Sequence, residues 1–294
     1  VVGDPEQISP ASVGVPQDKV WECIHTLLNG VPNPSRFFIN NSLYTIAGTL
    51  PRMDRTLLTE HFRSVPEIIE FNNSLCPTYG GNLQPLRQPN PSFRLEPSIC
   101  TVFVEKGFKN NADVNEQEAE ALVSRLVECC LDPRYAKGGK DGRKHTMGVI
   151  SLLGEAQAKH ISELIAQRLD ETEREERRII CGDAYAFQGD ERDVMFLSLV
   201  IATNAPFNAL VTENARQRFN VATSRARDQV FLFHSVTLRD ISNPECVRYK
   251  LLSYYQNPPL KRIEAGLEVL KAKADSPFEI DVGSIIIHRG YRLV

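Results

Sequence analysis

Residues 179–201 read IICGDAYAFQGDERDVMFLSLVI, two short apolar runs around a polar, glycine-bearing turn. The second run, Val194–Ile201, is apolar at nearly every position, which is the pattern of a strand covered on both faces. Further out, Thr101–Val104, Gly148–Leu153 and Gln229–His234 are runs of the same kind, as is Ile179–Cys181. Helical stretches separate them. Asn115–Cys130 sets Ala119, Leu122, Val123, Leu126 and Val127 at three-to-four spacing behind an acidic first turn. Glu155–Leu169 carries Ala158, Ile161, Leu164, Ile165 and Leu169 on one stripe, and Val65–Leu75 opens with Pro66 in a first-turn position. Strands alternating with helices predict βαβ units, hence an α/β fold with a parallel sheet flanked by helices over residues 59–240.

The flanks differ. Residues 11–58 hold Pro16, Pro32, Pro34 and Pro51 with one helical stretch, Lys19–Asn29, and read as a hinge or insertion. Residues 77–98, rich in Pro and Asn, read as a surface excursion. Lys137–Lys144 (KGGKDGRK) reads as a mobile surface loop and not as a P-loop, because no Gly-Lys step in it is followed by Ser or Thr. Asp170–Arg178 is a mixed-charge run expected at a solvated helix end.

Composition is that of an ordinary globular protein. In 294 residues, 42% are hydrophobic and 24% charged, which predicts one large or two medium domains and excludes a fibrous repeat. The formal net charge of −3 gives no bulk basicity, so any nucleic-acid binding must come from a local patch. Seven cysteines, an odd count with no C-x-x-C pair, argue against a zinc ribbon or disulfide framework and suit reduced thiols. No apolar stretch approaches the roughly 18 residues needed to span a bilayer, and no basic-then-apolar leader opens the chain. The expectation is a cytoplasmic protein with no membrane partner. The chain opens on Val-Val-Gly-Asp and closes on His-Arg-Gly-Tyr-Arg-Leu-Val, so both ends are expected to be excision points.

Four short motifs carry chemistry. Val2-Gly-Asp-Pro-Glu-Gln-Ile-Ser-Pro10 is expected to place Asp4 and Gln7 just beyond a strand end, where a Gln can donate to a phosphate oxygen. In Leu58-Thr-Glu-His-Phe-Arg63-Ser-Val-Pro66, an Arg just before a helix start suits a phosphate or carboxylate, or a surface ion pair. In Gly182–Asp193, Gln188-Gly189 lets backbone approach a ligand closely, and Glu191 can accept from a sugar hydroxyl. Read alone, this Asp/Glu cluster is equally a metal site or a solvated turn. In Arg216-Gln-Arg218-Phe-Asn220-Val-Ala-Thr223-Ser-Arg225-Ala-Arg227, Arg218 and Arg225 lie seven apart and share a helical face, with Arg216 and Arg227 elsewhere. Such a face can hold a guanidinium toward a cleft as an arginine finger.

In this order, the four stretches resemble motifs III to VI of superfamily 1 helicases, particularly the branch related to the nonsense-mediated-decay helicase. That family carries GD-x-x-Q-x-x-P, a Q-Y-R-like motif before P-x-I-x-x-F, F-Q-G-x-E-x-D ahead of an apolar strand, and N-V-A-x-T-R-A-R. The resemblance covers about residues 1–10 and 59–240, with His61-Phe62-Arg63 in place of Q-Y-R and Ser224 in place of the motif VI Thr. It implies a RecA-like, P-loop-NTPase-type second motor domain, preceded by the end of a first (1–10). Gln7 would sense the γ-phosphate, while Arg63 and Arg225 would reach it as arginine fingers. Gln188, Gly189 and Glu191 would line the nucleotide edge, Glu191 near the ribose, and Asp4 would organise the motif III turn. ATP and Mg²⁺ are the implied cofactors. Single-stranded nucleic acid, DNA favoured over RNA, and the missing first RecA-like domain are the implied partners. Ser198, Thr203 and Asn204, after the motif V strand, are candidate strand contacts.

No G-x-x-x-x-G-K-[ST] occurs, and Asp190-Glu191 follows Gln-Gly instead of an apolar strand. Walker A and B are therefore absent, and the chain is expected to be an ATP-dependent helicase half that is inactive alone. Residues 241–273 read as linker helices. Residues 274–294 resemble the opening helix and first strand of a very-short-patch-repair-like nuclease, with Glu279 on that helix. The alternative function is a non-catalytic RecA-like module that binds nucleic acid and targets an attached nuclease.

Overall fold

The computed structural model describes residues 2–8, 16–39, 41–51, 54–87, 91–138, 142–258, 270–271, 274 and 276–288. Its elements in chain order are α1 (Gln17–Leu27), α2 (Leu43–Gly48), β1 (Glu60–His61), α3 (Pro66–Leu75), β2 (Gln84–Pro85) and β3 (Ile99–Phe103). There follow α4 (Glu116–Leu131), β4 (Met147–Ser151), α5 (Glu155–Arg168), α6 (Glu171–Glu176) and β5 (Ile180–Gly182). The chain continues through β6 (Arg192–Ala202), α7 (Glu213–Thr223), β7 (Ala226–Ser235), α8 (Val247–Gln256) and α9 (Pro277–His288).

All five apolar runs are strands of one parallel sheet, in the order β3-β7-β6-β4-β5. The expected α/β fold with helices on both faces is what the chain forms. Every residue of the central strand β6 is buried, which is why its sequence shows no alternation. One face packs Ile68 and Phe71 of α3, Phe219 of α7 and Leu251 of α8 against Leu197, Leu199 and Leu232. The other packs Leu122 and Leu126 of α4 and Ile161 and Ile165 of α5 against Val149, Phe196 and Phe233. Phe196 and Phe231 are cross-strand partners whose rings stack at 5.1 Å. Each such side chain contributes roughly 1.5–3 kcal/mol by leaving water.

The helix starts follow their sequence signals. Asn115 caps α4 by accepting from the Glu118 amide, Pro66 opens α3, and Thr212 caps α7. Three expectations need correction. The Val2-Gly-Asp end is a turn closed by Gln7 N–H to Asp4 C=O at 3.2 Å, and the described part of that stretch contains no strand. The domain does not stop at residue 240, because α8 buries Leu251, Leu252 and Tyr255 in the core beside Phe71. The helix on which Arg218 and Arg225 were to share a face ends at Thr223, leaving Arg225 in the turn before β7. Most of the expected linker helix, including 259–269, lies outside the described residues, as do 289–294 of the nuclease-like segment.

Candidate functional site

Three of the four motifs meet at the amino-terminal ends of β6 and β7. The Arg192 amide donates to the Arg225 carbonyl at 3.0 Å where these strands begin to pair. The stretch before α3 is stitched to the start of β7, since Ser64 Oγ donates to the Ala226 carbonyl (2.7 Å) and the Val65 amide to that of Arg227 (2.9 Å). Gly189 sits at φ +86°, a conformation an L side chain rarely adopts, and lets the loop from β5 turn tightly into β6.

Arg63, Glu191 and Arg227 form one cluster at that edge. Arg63 Nε donates to Glu191 Oε2 at 2.5 Å, and Arg227 Nη1 donates to Oε1 at 3.2 Å. Arg227 Nε also lies 3.6 Å from Asp193 Oδ1. Beneath them Arg225 is almost fully buried, donating from Nε to the Val221 carbonyl (3.0 Å) and from Nη1 to that of Asp190 (3.3 Å). Burial, and then the neighbouring Arg63 charge, push the Arg225 guanidinium down to about 10. The other acids of the turn are engaged elsewhere. Asp190 pairs with buried Arg192 at 2.6 Å, and Asp193 Oδ2 accepts from the Thr146 amide and hydroxyl, each at 2.9 Å. Within the turn, Glu191 and Asp190 are held by arginines, and Asp193 by Thr146 and Arg227. Among the described residues, no group of three or more His, Cys, Asp or Glu converges as metal ligands.

His61 explains the departure from the expected Gln. Its Nε2 accepts from the Ser64 amide at 3.0 Å, and burial with the nearby Arg63 charge pushes its pKa down to about 4. A neutral imidazole therefore supplies the acceptor that holds the turn into α3.

The opening segment docks against α7 and the end of α3. Asp4 Oδ2 accepts from Tyr79 Oη (2.6 Å) and Gln7 Nε2 (3.2 Å), and Tyr79 Oη accepts in turn from Asn220 Nδ2 (3.1 Å). Glu6 is buried against Arg216 Nε at 2.9 Å, and Gln217 Nε2 donates to the Pro5 carbonyl at 2.8 Å. Gln188 Nε2 donates to the Ile8 carbonyl at 3.3 Å. Between this segment and the Arg63 loop lies a cavity of about 690 Å³, lined by Asp4, Gln7, Asp54, His61, Arg63, Tyr79 and Ser224 among others. A second cleft of about 730 Å³ beside Glu191 is lined by Lys137, Arg143, Arg178 and Arg227 together with Glu175, Glu176, Asp190 and Asp193. Residues 139–141 of the Gly/Lys loop beside it lie outside the described residues.

Gln7, Asp4, Arg63, Gln188, Gly189, Glu191 and Arg225 are thus gathered at one edge. Arg227, Tyr79 and Asn220 join them, though the sequence reading gave them no role. Arg63 and Arg227 share Glu191 as a carboxylate partner, and Arg225 lies beneath them, held by two backbone carbonyls.

The strand-contact candidates lie at the opposite, carboxyl edge, and one is corrected. Ser198 has no exposed surface: its hydroxyl donates to Glu118 Oε1 at 2.7 Å and accepts from Gln157 Nε2 at 3.1 Å. It is a core hydroxyl satisfied inside a strand buried on both faces. Thr203 and Asn204 are exposed in the turn after β6, and Asn204 braces the Lys109 backbone, accepting from its N–H (3.0 Å) and donating to its C=O (2.9 Å). Glu279 is exposed in the first turn of α9, where its amide donates to Ser276 Oγ at 3.3 Å. Among the described residues, no helix is long and apolar enough to cross a membrane.

No curated protein matches the chain. Among solved structures, the C-terminal domain of a possible DNA helicase from Lactobacillus plantarum WCFS1 is similar at 16% identity, covering 59% of this chain and 87% of that one with a TM-score of 0.36. A family model described as AAA domain matches residues 39–236, a span that holds the whole parallel sheet and the arginine cluster. By that match, the chain belongs to the AAA domain family.

Proposed function

We propose that this chain is the C-terminal motor half of an ATP-dependent superfamily 1 helicase or translocase. The observation that carries the reading is the convergence of Arg63 and Arg225 on one sheet edge, with Arg63 and Gln7 lining the same cavity, Arg225 buried beside it, and Glu191 between Arg63 and Arg227. Bound MgATP, held by a P-loop and Walker B that this sequence lacks, would supply the phosphoryl group to be transferred. Arg63, released from Glu191, and Arg225, fixed by two carbonyls, would stabilise charge developing on its oxygens. Glu191 would then be free to accept from a ribose hydroxyl. Gln7, tied through Asp4 and Tyr79 to Asn220 of α7, would pass the state of the phosphate to the second domain.

Opening and closing of the cleft would shift a single strand, DNA in preference to RNA, held by phosphate contacts and base stacking. The competing reading, a non-catalytic RecA-like module that targets an attached nuclease, keeps the strand and needs neither arginine. The test is MgATP hydrolysis by the chain alone and by a longer protein that includes the P-loop half, with and without single-stranded DNA. The motor reading predicts no turnover by the chain and DNA-stimulated turnover by the longer protein. A folded longer protein without turnover would favour the non-catalytic module.

A further inference from the structure

The loop after β3 presents an exposed aromatic ring on a braced backbone. Phe108 is 55% exposed, and Phe103 at the end of β3, 50% exposed, leans on His234 with ring centroids 5.4 Å apart. A flexible loop would let such a ring fold back onto apolar surface, but this one is held. The Gly107 amide donates to the Val104 carbonyl (3.1 Å), the Phe108 amide to Asn115 Oδ1 (3.3 Å), and Asn204 clamps both backbone groups of Lys109. Gly107 lies so close to β7 that an added Cβ would meet Ser235 Oγ at 1.9 Å. Asn115 is itself fixed by donating to Ser235 Oγ (3.0 Å) and the Val200 carbonyl (3.2 Å), beside the buried Glu118 carboxyl.

The surroundings of the ring are polar: Glu105, exposed Lys106, Lys109 with its ammonium on Asp113, Thr203 and Asn204. Two exposed rings, with charged Glu105 and Lys106 between them in the chain, are not the contiguous apolar patch that a protein partner needs. The Phe108 ring does match a nucleobase, which offers a flat face to stack on and a phosphate for a neighbouring lysine. We propose that the carboxyl edge of the sheet seats single-stranded nucleic acid, with a base stacked on Phe108 and the adjoining phosphate at Lys106. This rests on the nucleic-acid part of the motor reading and adds to it the residue and the mode of contact.

The test uses the whole chain. In a Trp21→Phe background, Phe108→Trp places the one indole at the proposed seat. Binding is followed by tryptophan emission and by anisotropy of a fluorescein-labelled oligo(dT). The proposal predicts quenching by oligo(dT), none by heparin, which has the charge without bases, and binding by Phe108→Ala weakened roughly 5- to 100-fold. Because the ring is exposed, Phe108→Ala should melt as the parent does. Equal quenching by heparin, or oligo(dT) binding by Phe108→Ala equal to that of the parent, would overturn the seat while leaving the motor reading standing. Absence of oligo(dT) binding would also overturn it. Failure of nucleotide hydrolysis in the longer protein would overturn the motor reading and leave this measurement unaffected.

Discussion

Arg63 and Glu191, 128 residues apart in the chain, are joined by a 2.5 Å hydrogen bond at the amino-terminal edge of the sheet. Both side chains keep about a third of their surface in water, at 32% and 38% exposure. An ion pair so exposed stabilises a fold by about 1 kcal/mol or less, so stability gives it little reason to exist. Glu191→Gln should therefore shift the urea unfolding free energy by no more than about 1 kcal/mol. In the ATP-hydrolysing longer protein the same change should raise the KM for MgATP, since it removes both the arginine holder and the proposed ribose acceptor. Stability lost with KM unchanged would make the pair structural.

The Glu6–Arg216 pair is different in kind, because its carboxylate is buried. Burial pushes the Glu6 carboxyl up, but hydrogen bonds from Thr78 and Arg216 outweigh it, and the pKa falls below the usual value. A depressed carboxylate gives stability that is present above its unfolded pKa and lost as pH falls through the folded one. Arg216→Ala should cost about 3–5 kcal/mol at pH 7 by leaving a buried charge unpaired. Urea titrations should show that penalty shrinking as pH falls into the acid range through the depressed folded pKa of Glu6.

Glu118 runs the opposite way. It is wholly buried and accepts from Ser198 Oγ, the Val200 amide (2.8 Å) and Ser235 Oγ (2.9 Å). Burial still wins and pushes its pKa up to about 7. A raised carboxyl contributes stability that is full below about 4.5 and is lost as pH rises through 7. Glu118→Gln, which keeps the shape and stays neutral, should remove that decline. Relative to the parent, its unfolding free energy should improve between pH 5 and pH 8 by on the order of 3 kcal/mol. A difference that does not change with pH would contradict the assignment.

The place of α8 in the core is tested by Leu251, which has no exposed surface. Leu251→Ala should destabilise the α/β domain by about 2–5 kcal/mol in a single cooperative transition. A separate, earlier transition would make α8 a detachable linker.

The strands were legible because each is a short apolar run bounded by turn residues, and a sheet covered by helices on both faces produces that pattern. By the same reasoning Ser198, a lone hydroxyl within such a run, is flanked by core on both sides. The linker helices read over 241–273 include α8, but its place in the core has no local signal, because VRYKLLSYYQ mixes polar and apolar residues and only tertiary packing reveals the buried set Val247, Leu251, Leu252 and Tyr255. Arg227 was missed for a geometric reason. The helix ends at Thr223 and β7 begins at Ala226, so Arg227 in the strand and Arg225 in the turn before it come to one edge. Tyr79 carries no local signal, because its partner Asp4 lies 75 residues away.

The central claim is that Arg225 acts on a phosphoryl group, and single-turnover hydrolysis of MgATP tests it most directly. The protein is the longer one that includes the P-loop half, saturated with single-stranded DNA, compared with its Arg225→Lys and Arg225→Ala variants. Burial around Arg225 makes folding a concern, so each variant is first shown to melt within a few degrees of the parent. The account predicts a chemical step slowed by roughly 10³- to 10⁵-fold in Arg225→Ala, with little rescue by lysine, whose point charge cannot reproduce the planar fork. A folded Arg225→Ala variant that hydrolyses ATP within a few-fold of the parent would contradict it.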